Sequence, residues 1–157
     1  MAQISPIPGT GIDRRTGKIL SGWAHVLQCL EVIFTTFFGE RVLRRYIGSD
    51  VPPLLGRNMT NPTILRFWSA ICVAINRPAS MGGEPRFRIT KIQAFGSAPG
   101  MSSGSIGFAL AGLYFPRGHL GDYSIAIPMT VNVGSTANAI GSGAPPLVSD
   151  GFVPAVL

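Results

Sequence analysis

The stretch that decides the fold is EPRFRITKIQAFG, residues 84–96, where the spacing of apolar residues changes from three or four to two. Phe87 and Ile89 share one face of a strand, but Ile92 is out of step with them. This phase slip predicts a β-bulge near Lys91. Two helical patterns precede the stretch and two strand patterns follow it. Helices first and strands afterwards predict an α+β fold with a small, mostly antiparallel sheet.

The two helices are predicted from caps and from apolar spacing. The first covers about residues 22–38, with Ser21 as its N-cap and Gly39 as its stop. The second covers about residues 61–76, with Thr60 or Asn61 as its cap, Pro62 at its first helical position and Arg77-Pro78 as its stop. We expect both apolar faces to pack on the sheet. These faces comprise Trp23, Val26, Leu27, Leu30, Ile33, Phe34 and Phe37 in the first helix, and Ile64, Phe67, Trp68, Ile71 and Ile75 in the second.

Two more strands are predicted downstream. The segment IGFALAGLYF, residues 106–115, alternates apolar and small residues, and YSIAIPMTVNV, residues 123–133, keeps its isoleucines, methionine and valines on one face. Pro128 lies inside the second segment. Because proline has no backbone N–H, it favours an edge position or a break in pairing. We therefore expect a sheet with an open edge.

The chain is predicted to hold a single domain with an arm at each end. Residues 1–20 contain prolines and glycines that oppose regular structure, so they are interpreted as an extended N-terminal arm. Residues 21–133 form the domain. Residues 134–157 are rich in Gly, Pro and Ser and form a C-terminal arm. The apolar residues in that arm, such as Phe152, favour packing against a neighbour over disorder.

Low charge is the main feature of the composition. Charged residues make up 13% of the chain and hydrophobic residues 46%, whereas an ordinary globular protein is about 25% charged. So few charged residues in a small protein indicate that it belongs to an assembly, in which partner proteins cover its apolar surface. The net charge is +6, and residues 1–91 carry twelve of the 13 basic residues. The helical half is therefore the cationic half.

No membrane partner is predicted. The most apolar window, SGWAHVLQCLEVIFTTFFGE at residues 21–40, is interrupted by His25, Gln28 and Glu31 and is short for a spanning helix. The N-terminal sequence also lacks the apolar core of a signal peptide. These features predict a soluble protein.

Catalytic, metal and cofactor sites are not predicted. The seven acidic residues are scattered, and no short spacing places two of them on one face as a glycosidase would need. No Gly-x-Ser-x-Gly elbow occurs, although counting alone does not exclude a Ser/His/Asp set. Cys29 and Cys72 lie in apolar helical patterns, and neither pairs with His25 or His119 at metal-binding spacing. The chain is not predicted to be an enzyme.

Two sets of residues are candidate sites. Pro85 fixes the backbone between Glu84 and Arg86, so this corner is predicted to dock a partner protein, with an internal Glu84–Arg86 ion pair as an equally weighted alternative. A docking role predicts that Arg86→Ala blocks docking and leaves the isolated fold intact. Three further arginines form a secondary basic interface for acidic partners or phosphates. The segment that contains them is predicted as a short strand, a turn of helix, or both in sequence. If it is helical, they lie within one turn, and they are Arg41, Arg44 and Arg45.

Several of these features together resemble the baseplate-wedge family of contractile phage tails. This is the family of baseplate protein W and the lysozyme-like wedge component, which is related to a type VI secretion baseplate subunit. The resemblance spans roughly residues 10–135. It rests on Arg15-Thr16-Gly17, a helix ending in Gly39-Glu40-Arg41, the Gly48-Ser49 turn, and Glu84-Pro85-Arg86 before a basic strand.

The resemblance implies a structural role in a virion, at the tail baseplate, after assembly in the host cytoplasm. Family members join the baseplate wedge to the first ring of tail sheath, in several copies around the tail, and their sheet accepts an extended sheath arm by strand exchange. The implied partners are the tail sheath protein and baseplate wedge proteins, with tube or hub proteins as further candidates. In the family the Glu-Pro-Arg motif, here Glu84, Pro85 and Arg86, faces the bundle of wedge proteins.

Two other function classes stay open on the sequence. The first is a peptidoglycan hydrolase, a tail lysozyme in which Glu84 would act as the acid. The second is a basic nucleic-acid-binding module that uses Arg44 and Arg45, although the low total charge favours an acidic protein partner over a nucleic acid. No small-molecule substrate is implied.

Overall fold

A computed structural model of the protein describes residues 9–57, 60–95, 107–134 and 140–141. The predicted α+β class is confirmed. A β-hairpin comes first and is followed by two helices and then by an antiparallel sheet. The bounds are β1 Thr10–Ile12, β2 Ile19–Ser21, α1 Gly22–Thr35, α2 Asn61–Asn76, β3 Phe87–Phe95, β4 Gly107–Tyr114, β5 Ile127–Gly134 and β6 Ile140–Gly141.

Both helices form where the apolar spacing predicts them. Helix α2 has the predicted bounds, because Pro62 fits its first turn and Arg77 leaves the helical conformation with ψ of 148°. Helix α1 ends at Thr35, three residues before the predicted end, because Thr36 turns to an extended conformation. Phe37 consequently leaves the apolar face and is half exposed. The faces that remain buried comprise Val26, Leu30, Ile33 and Phe34 in α1 and Phe67, Ile71, Ala74 and Ile75 in α2.

The main sheet has the order β3-β4-β5-β6, with every neighbouring pair antiparallel. The predicted bulge in β3 is confirmed, because the register with β4 shifts between Ile89 and Lys91. Strand β5 begins at Ile127, four residues later than predicted. Pro128 pairs with Leu113 of β4, and within the described residues no strand pairs with the other side of β5 at that point. Its predicted edge position is therefore confirmed for the described part of the sheet.

The core lies between the helices and one face of the sheet. Phe67 of α2 stacks on Phe108 of β4 with ring centroids 4.9 Å apart. Trp23 of α1 meets Tyr114 of β4 at 5.3 Å and Phe87 of β3 at 5.4 Å. These aromatic contacts tie each helix to the sheet and fix where α1 crosses the start of β3. No helix in the described ranges combines the length and apolarity needed to cross a membrane.

The N-terminal segment differs from the irregular arm that the sequence predicts. Residues 10–21 form a hairpin whose turn is held by Asp13: the Asp13 N–H donates to the Lys18 carbonyl at 2.8 Å, and the Thr16 hydroxyl donates to the Asp13 carboxylate at 2.6 Å. Gly17 takes φ of 71°, which suits glycine. Most of the predicted C-terminal arm, and all of the predicted Gly/Ser-rich connection at residues 96–105, lies outside the described residues.

Candidate functional site: the Glu84–Pro85–Arg86 corner and the adjoining cleft

The corner residues Glu84 and Arg86 form an ion pair inside the protein. Arg86 Nε donates to Glu84 Oε1 at 2.7 Å, and Nη2 donates to Oε2 at 2.9 Å, which is the two-pronged geometry that suits a guanidinium and a carboxylate. The exposed fraction is 5% for Glu84 and 4% for Arg86. The structure therefore shows the internal pair that the sequence left as an alternative. Docking at this corner stays a prediction.

Two glycines place the chain for this pair. Gly82 has φ of 84°, and a Cβ there would lie 2.9 Å from the carbonyl oxygen of Tyr46. A Cβ on Gly83 would overlap the Arg77 carbonyl, and the Gly83 N–H donates to the Pro78 carbonyl at 3.2 Å. The glycines thus allow close approach of two backbone segments, and both segments belong to this chain.

Helix α1 supplies two further members of the site, which the sequence analysis missed. Arg86 Nη1 lies 3.0 Å from His25 Nδ1, and Nη2 donates to Cys29 Sγ at 3.5 Å. His25 and Cys29 are four residues apart, so they share one helix face, and that spacing was the available signal. The hairpin covers them closely: a Cβ on Gly9 would lie 2.6 Å from Arg86 Nη1, and a Cβ on Gly11 would overlap the His25 ring. The four side chains form one polar cluster.

Burial and the ion pair shift the ionisation of this cluster. Burial, and then the Glu84 charge, raise the pKa of Cys29 to about 11. The thiol is therefore protonated at neutral pH and is a poor nucleophile. Burial works to lower the pKa of Arg86, but the hydrogen bond to Glu84 and its charge outweigh it and raise that pKa. Burial and the Arg86 charge both lower the pKa of His25. The cluster is built around a neutral imidazole and a charged guanidinium.

The shift of His25 predicts that acid weakens the fold. The folded pKa lies below the ordinary value of 6.5, so below that pH the unfolded chain binds more protons and stability falls. Arg86, Glu84, Cys29 and His119 are the ionisable groups that face His25. We expect the melting temperature to drop between pH 7.5 and pH 5.5, measured by circular dichroism, and His25→Gln to remove part of that drop. His119→Gln is the control and should retain most of the drop, because the charge of His119 is the smallest of the causes that shift the pKa of His25. Parallel pH profiles for the wild type and His25→Gln would contradict this expectation.

The secondary basic interface lies in a loop and not in a helical turn. Residues 40–47, called the 40–47 loop below, form bends and a turn in which the Ile47 N–H donates to the Arg44 carbonyl at 3.1 Å. Arg41, Arg44 and Arg45 are all exposed. The helical alternative is therefore not the one observed, because the chain has already left the helix at Thr36. Their role as an interface stays a prediction.

The base of this loop is closed by backbone contacts. Phe37 and Ser49 form a parallel bridge, and the Gly39 N–H donates to the Arg45 carbonyl at 3.0 Å. Glu40 accepts a hydrogen bond from the Phe37 N–H at 2.9 Å. The two ends of the loop are thus held together while its tip projects into solvent.

A cleft of about 330 Å³ brings the two predicted sites together. Helix α1 forms one wall, the 40–47 loop forms the second, and the turn that leads into Glu84 forms the third. Arg41 and Arg44 line the cleft opposite Glu84, whereas Arg45 is not among the lining residues. Among the residues that the structure describes, no cluster of three or more His, Cys, Asp or Glu side chains is arranged to hold a metal ion. The lining residues are Gln28, Cys29, Val32, Ile33, Arg41, Arg44, Tyr46, Ile47, Ala79, Gly82, Gly83 and Glu84.

Comparison with known proteins shows similarity to a solved structure. No protein family matches the sequence, and no curated protein matches it. Among solved structures, the chain is similar to a chain in the cryo-EM structure of the postcontracted pyocin R2 baseplate, with 25% sequence identity and a TM-score of 0.54. The match covers 68% of this chain and 98% of the baseplate chain. This structural neighbour is therefore a baseplate component, and the match takes in nearly all of its chain.

Proposed function

We propose that this protein is a structural component of a contractile-tail baseplate, where it links the baseplate wedge to the first sheath ring and initiates sheath assembly by strand exchange, in which an arm of the sheath protein pairs with an open edge of the sheet. The observation that carries the proposal is the similarity to the pyocin R2 baseplate chain, because nearly the whole of that chain is covered at a TM-score above one half. The sheath and wedge partners, the ring of copies around the tail and the assembly in a host cytoplasm belong to the same proposal.

The free edge of β3 supports strand addition. Strand β3 pairs with β4 along Phe87–Phe95, and within the described residues no strand pairs with its other side. The outer edge of β5, in contrast, is partly covered by β6 and contains Pro128. An open edge offers backbone donors and acceptors to an incoming strand, so a sheath arm gains ladder hydrogen bonds without building a new core. We therefore place the sheath arm on β3.

Two cations on β3 suggest which arm it accepts. Arg88 and Lys91 are exposed on either side of the bulge. Charges and bulges on an edge strand hinder indiscriminate pairing between sheets. Carboxylates on the incoming arm would offset that effect, because opposite charges on neighbouring strands stabilise the pair. The proposed sheath arm is therefore acidic.

The wedge side of the joint would use the corner and the cleft. Glu84 and Arg86 are committed to each other, so a partner would meet the surface that the pair holds in place: half-buried Pro85 and the cleft wall at Glu84. The exposed arginines of the 40–47 loop would add the secondary basic interface. In this view the corner acts by fixing shape, and the loop arginines supply charge.

A hydrolase reading gains no support from the geometry. Both carboxylate oxygens of Glu84 accept hydrogen bonds from Arg86, and the backbone N–H of Arg86 also donates to Glu84 at 3.2 Å. A carboxylate held in this way is positioned to stabilise the fold. The baseplate neighbour likewise favours a structural role over a catalytic one.

Reversing the charge of the β3 edge should stop sheath assembly. We expect particles made with Arg88→Glu/Lys91→Glu to contain baseplate and tube but to lose sheath, with the sheathed fraction in negative-stain electron micrographs falling at least about tenfold, which corresponds to about 1.4 kcal/mol. The physical reason is repulsion of an acidic arm at the only β3 edge that is free in the described part of the sheet.

The matched control is Arg57→Glu/Arg66→Glu, which changes charge equally at exposed positions away from β3 and should leave sheathed tails. Deleting the reading frame should also give bare tubes. Sheathed tails from the deletion strain, or absence of the protein from purified baseplates by mass spectrometry, would refute the proposed function. Sheathed tails from the β3 variant alone would refute only the acidic arm on β3.

A further inference from the structure

The tip of the 40–47 loop presents aliphatic side chains to water. The exposed fraction is 80% for Val42 and 94% for Leu43. Because the loop is closed at its base by the Phe37–Ser49 bridge, the tip keeps this position instead of folding back over the core. Aliphatic side chains held out on a constrained loop are typical of a surface that a partner covers.

The arginines beside these aliphatic residues have no carboxylate partner in the described part of the chain. There, ion pairs engage Arg14 and Arg15 with Glu31, and Arg117 with Asp122. No such pair includes Arg41 or Arg44. The carboxylate in the cleft wall, that of Glu84, is already neutralised by Arg86. The cleft is therefore a cationic depression beside an apolar tip.

We propose that this cleft binds an acidic amphipathic segment of a partner protein, with an apolar side chain entering between α1 and the loop tip and carboxylates on Arg41 and Arg44. The proposal rests on the proposed function for the setting in which a partner is met. It deepens that function, in which the cleft already belongs to the wedge side, by assigning the chemistry of the segment that the cleft binds. Carboxylates pair well with the planar guanidinium fork, and arginines flanking an apolar centre are enriched at protein interfaces.

The same observations weigh against a nucleic acid as the occupant. A nucleic-acid surface would use arginines with aromatic side chains that stack on bases. Among the described residues that line the cleft, Tyr46 alone is aromatic, and the loop tip next to the arginines carries aliphatic side chains, which do not stack on bases. A phosphate backbone offers Val42 and Leu43 no apolar surface to bury against. An apolar side chain of a protein segment does, and burial of both surfaces stabilises the complex. Nucleic acid is therefore treated as an outcome of the test.

The test measures binding of the full chain to fluorescein-labelled probes by fluorescence anisotropy. The first probe is a 15-residue peptide with leucines at helical spacing and glutamates at the other positions. The second replaces every glutamate with glutamine, and the third is a 20-nucleotide single-stranded DNA. We expect the acidic peptide to bind most tightly. Arg41→Ser/Arg44→Ser should weaken it about tenfold, because two exposed ion pairs are lost. Leu43→Ser should weaken it by a similar factor.

Matched controls keep the test specific to the cleft. Arg57→Ser/Arg66→Ser removes the same charge elsewhere, and Leu65→Ser removes an exposed leucine of α2; both should bind the acidic peptide like the wild type. No binding of the acidic peptide, or equal losses in the controls, would overturn the proposal. Tighter binding of DNA that depends on Arg41 and Arg44 would overturn it in favour of a nucleic acid. These results are independent of sheath assembly, so a baseplate role can survive the loss of the cleft proposal.

Discussion

Replacing Arg86 with alanine is expected to lower the free energy of unfolding by about 3–5 kcal/mol, because the substitution leaves the buried Glu84 carboxylate without its counter-charge. It also removes the hydrogen-bond donors that face His25 and Cys29. Equilibrium urea unfolding followed by tryptophan fluorescence measures the change. This expectation replaces the one drawn from sequence, in which Arg86→Ala leaves the isolated fold intact.

The control for this variant is a surface pair of the same chemistry. Arg117 and Asp122 form an ion pair at 3.2 Å, and both side chains are partly exposed. Arg117→Ala should therefore cost less than about 1 kcal/mol. A loss in Arg86→Ala no larger than that in Arg117→Ala would show that the Glu84–Arg86 pair is not buried in solution.

A double variant separates stability from docking. Glu84→Gln/Arg86→Met removes both charges while keeping similar volumes, and removing a whole buried ion pair is much less costly than breaking it. We expect the double variant to recover at least about 2 kcal/mol of the loss in Arg86→Ala. Because it folds, its incorporation into baseplates reports on docking at the corner. Normal incorporation would refute a direct docking role for the two charges.

Replacing Gly83 with alanine is expected to destabilise the protein by about 3 kcal/mol, near the upper end for overpacking, because its new methyl group would overlap the Arg77 carbonyl. The backbone at residues 77–78 would have to move away, which strains the hydrogen bond between the Gly83 N–H and the Pro78 carbonyl. Gly83 directly precedes Glu84, so the shift also displaces the ion pair. Urea unfolding gives the magnitude.

The control is Gly56→Ala, which isolates backbone strain from collision. Gly56 has φ of 80°, but nothing lies within 4 Å of a Cβ built there. Its substitution should cost about 1–2 kcal/mol from the left-handed conformation alone. If Gly83→Ala is no more destabilising than Gly56→Ala, the close approach of residues 77 and 83 is not maintained in solution.

Local sequence signals were sufficient for the regular elements that pack on the core. The slip in phase around Lys91 located the bulge, because side chains in a strand alternate strictly. Pro62 and the Arg77-Pro78 pair fixed the ends of α2. In each case the signal and the structure that it specifies lie within a few residues of each other.

The elements that were missed depend on contacts across the fold. Strands β1 and β2 have three residues each, which is too few to show a period in the sequence. The hairpin that they form is held on α1 by Gln28, whose side-chain amide donates a hydrogen bond to the Ile12 carbonyl at 2.9 Å. The polar cluster joins His25 to Arg86 across 61 residues. Arg41 and Glu84, which are far apart in the sequence, likewise line the same cleft. A pattern within a short stretch of sequence cannot contain such distant pairs. The sequence therefore identified Glu84 and Arg86 as site residues but not their contacts with helix α1.

The neighbouring ends of the 40–47 loop have an evolutionary consequence. Since Phe37 and Ser49 are bridged, residues can be inserted, deleted or exchanged at the tip without shifting α1 or the sheet. If this loop binds a partner as proposed, the surface that recognises the partner and the fold that supports it can evolve at different rates. Exchanging this short segment alone would then transfer recognition between related proteins.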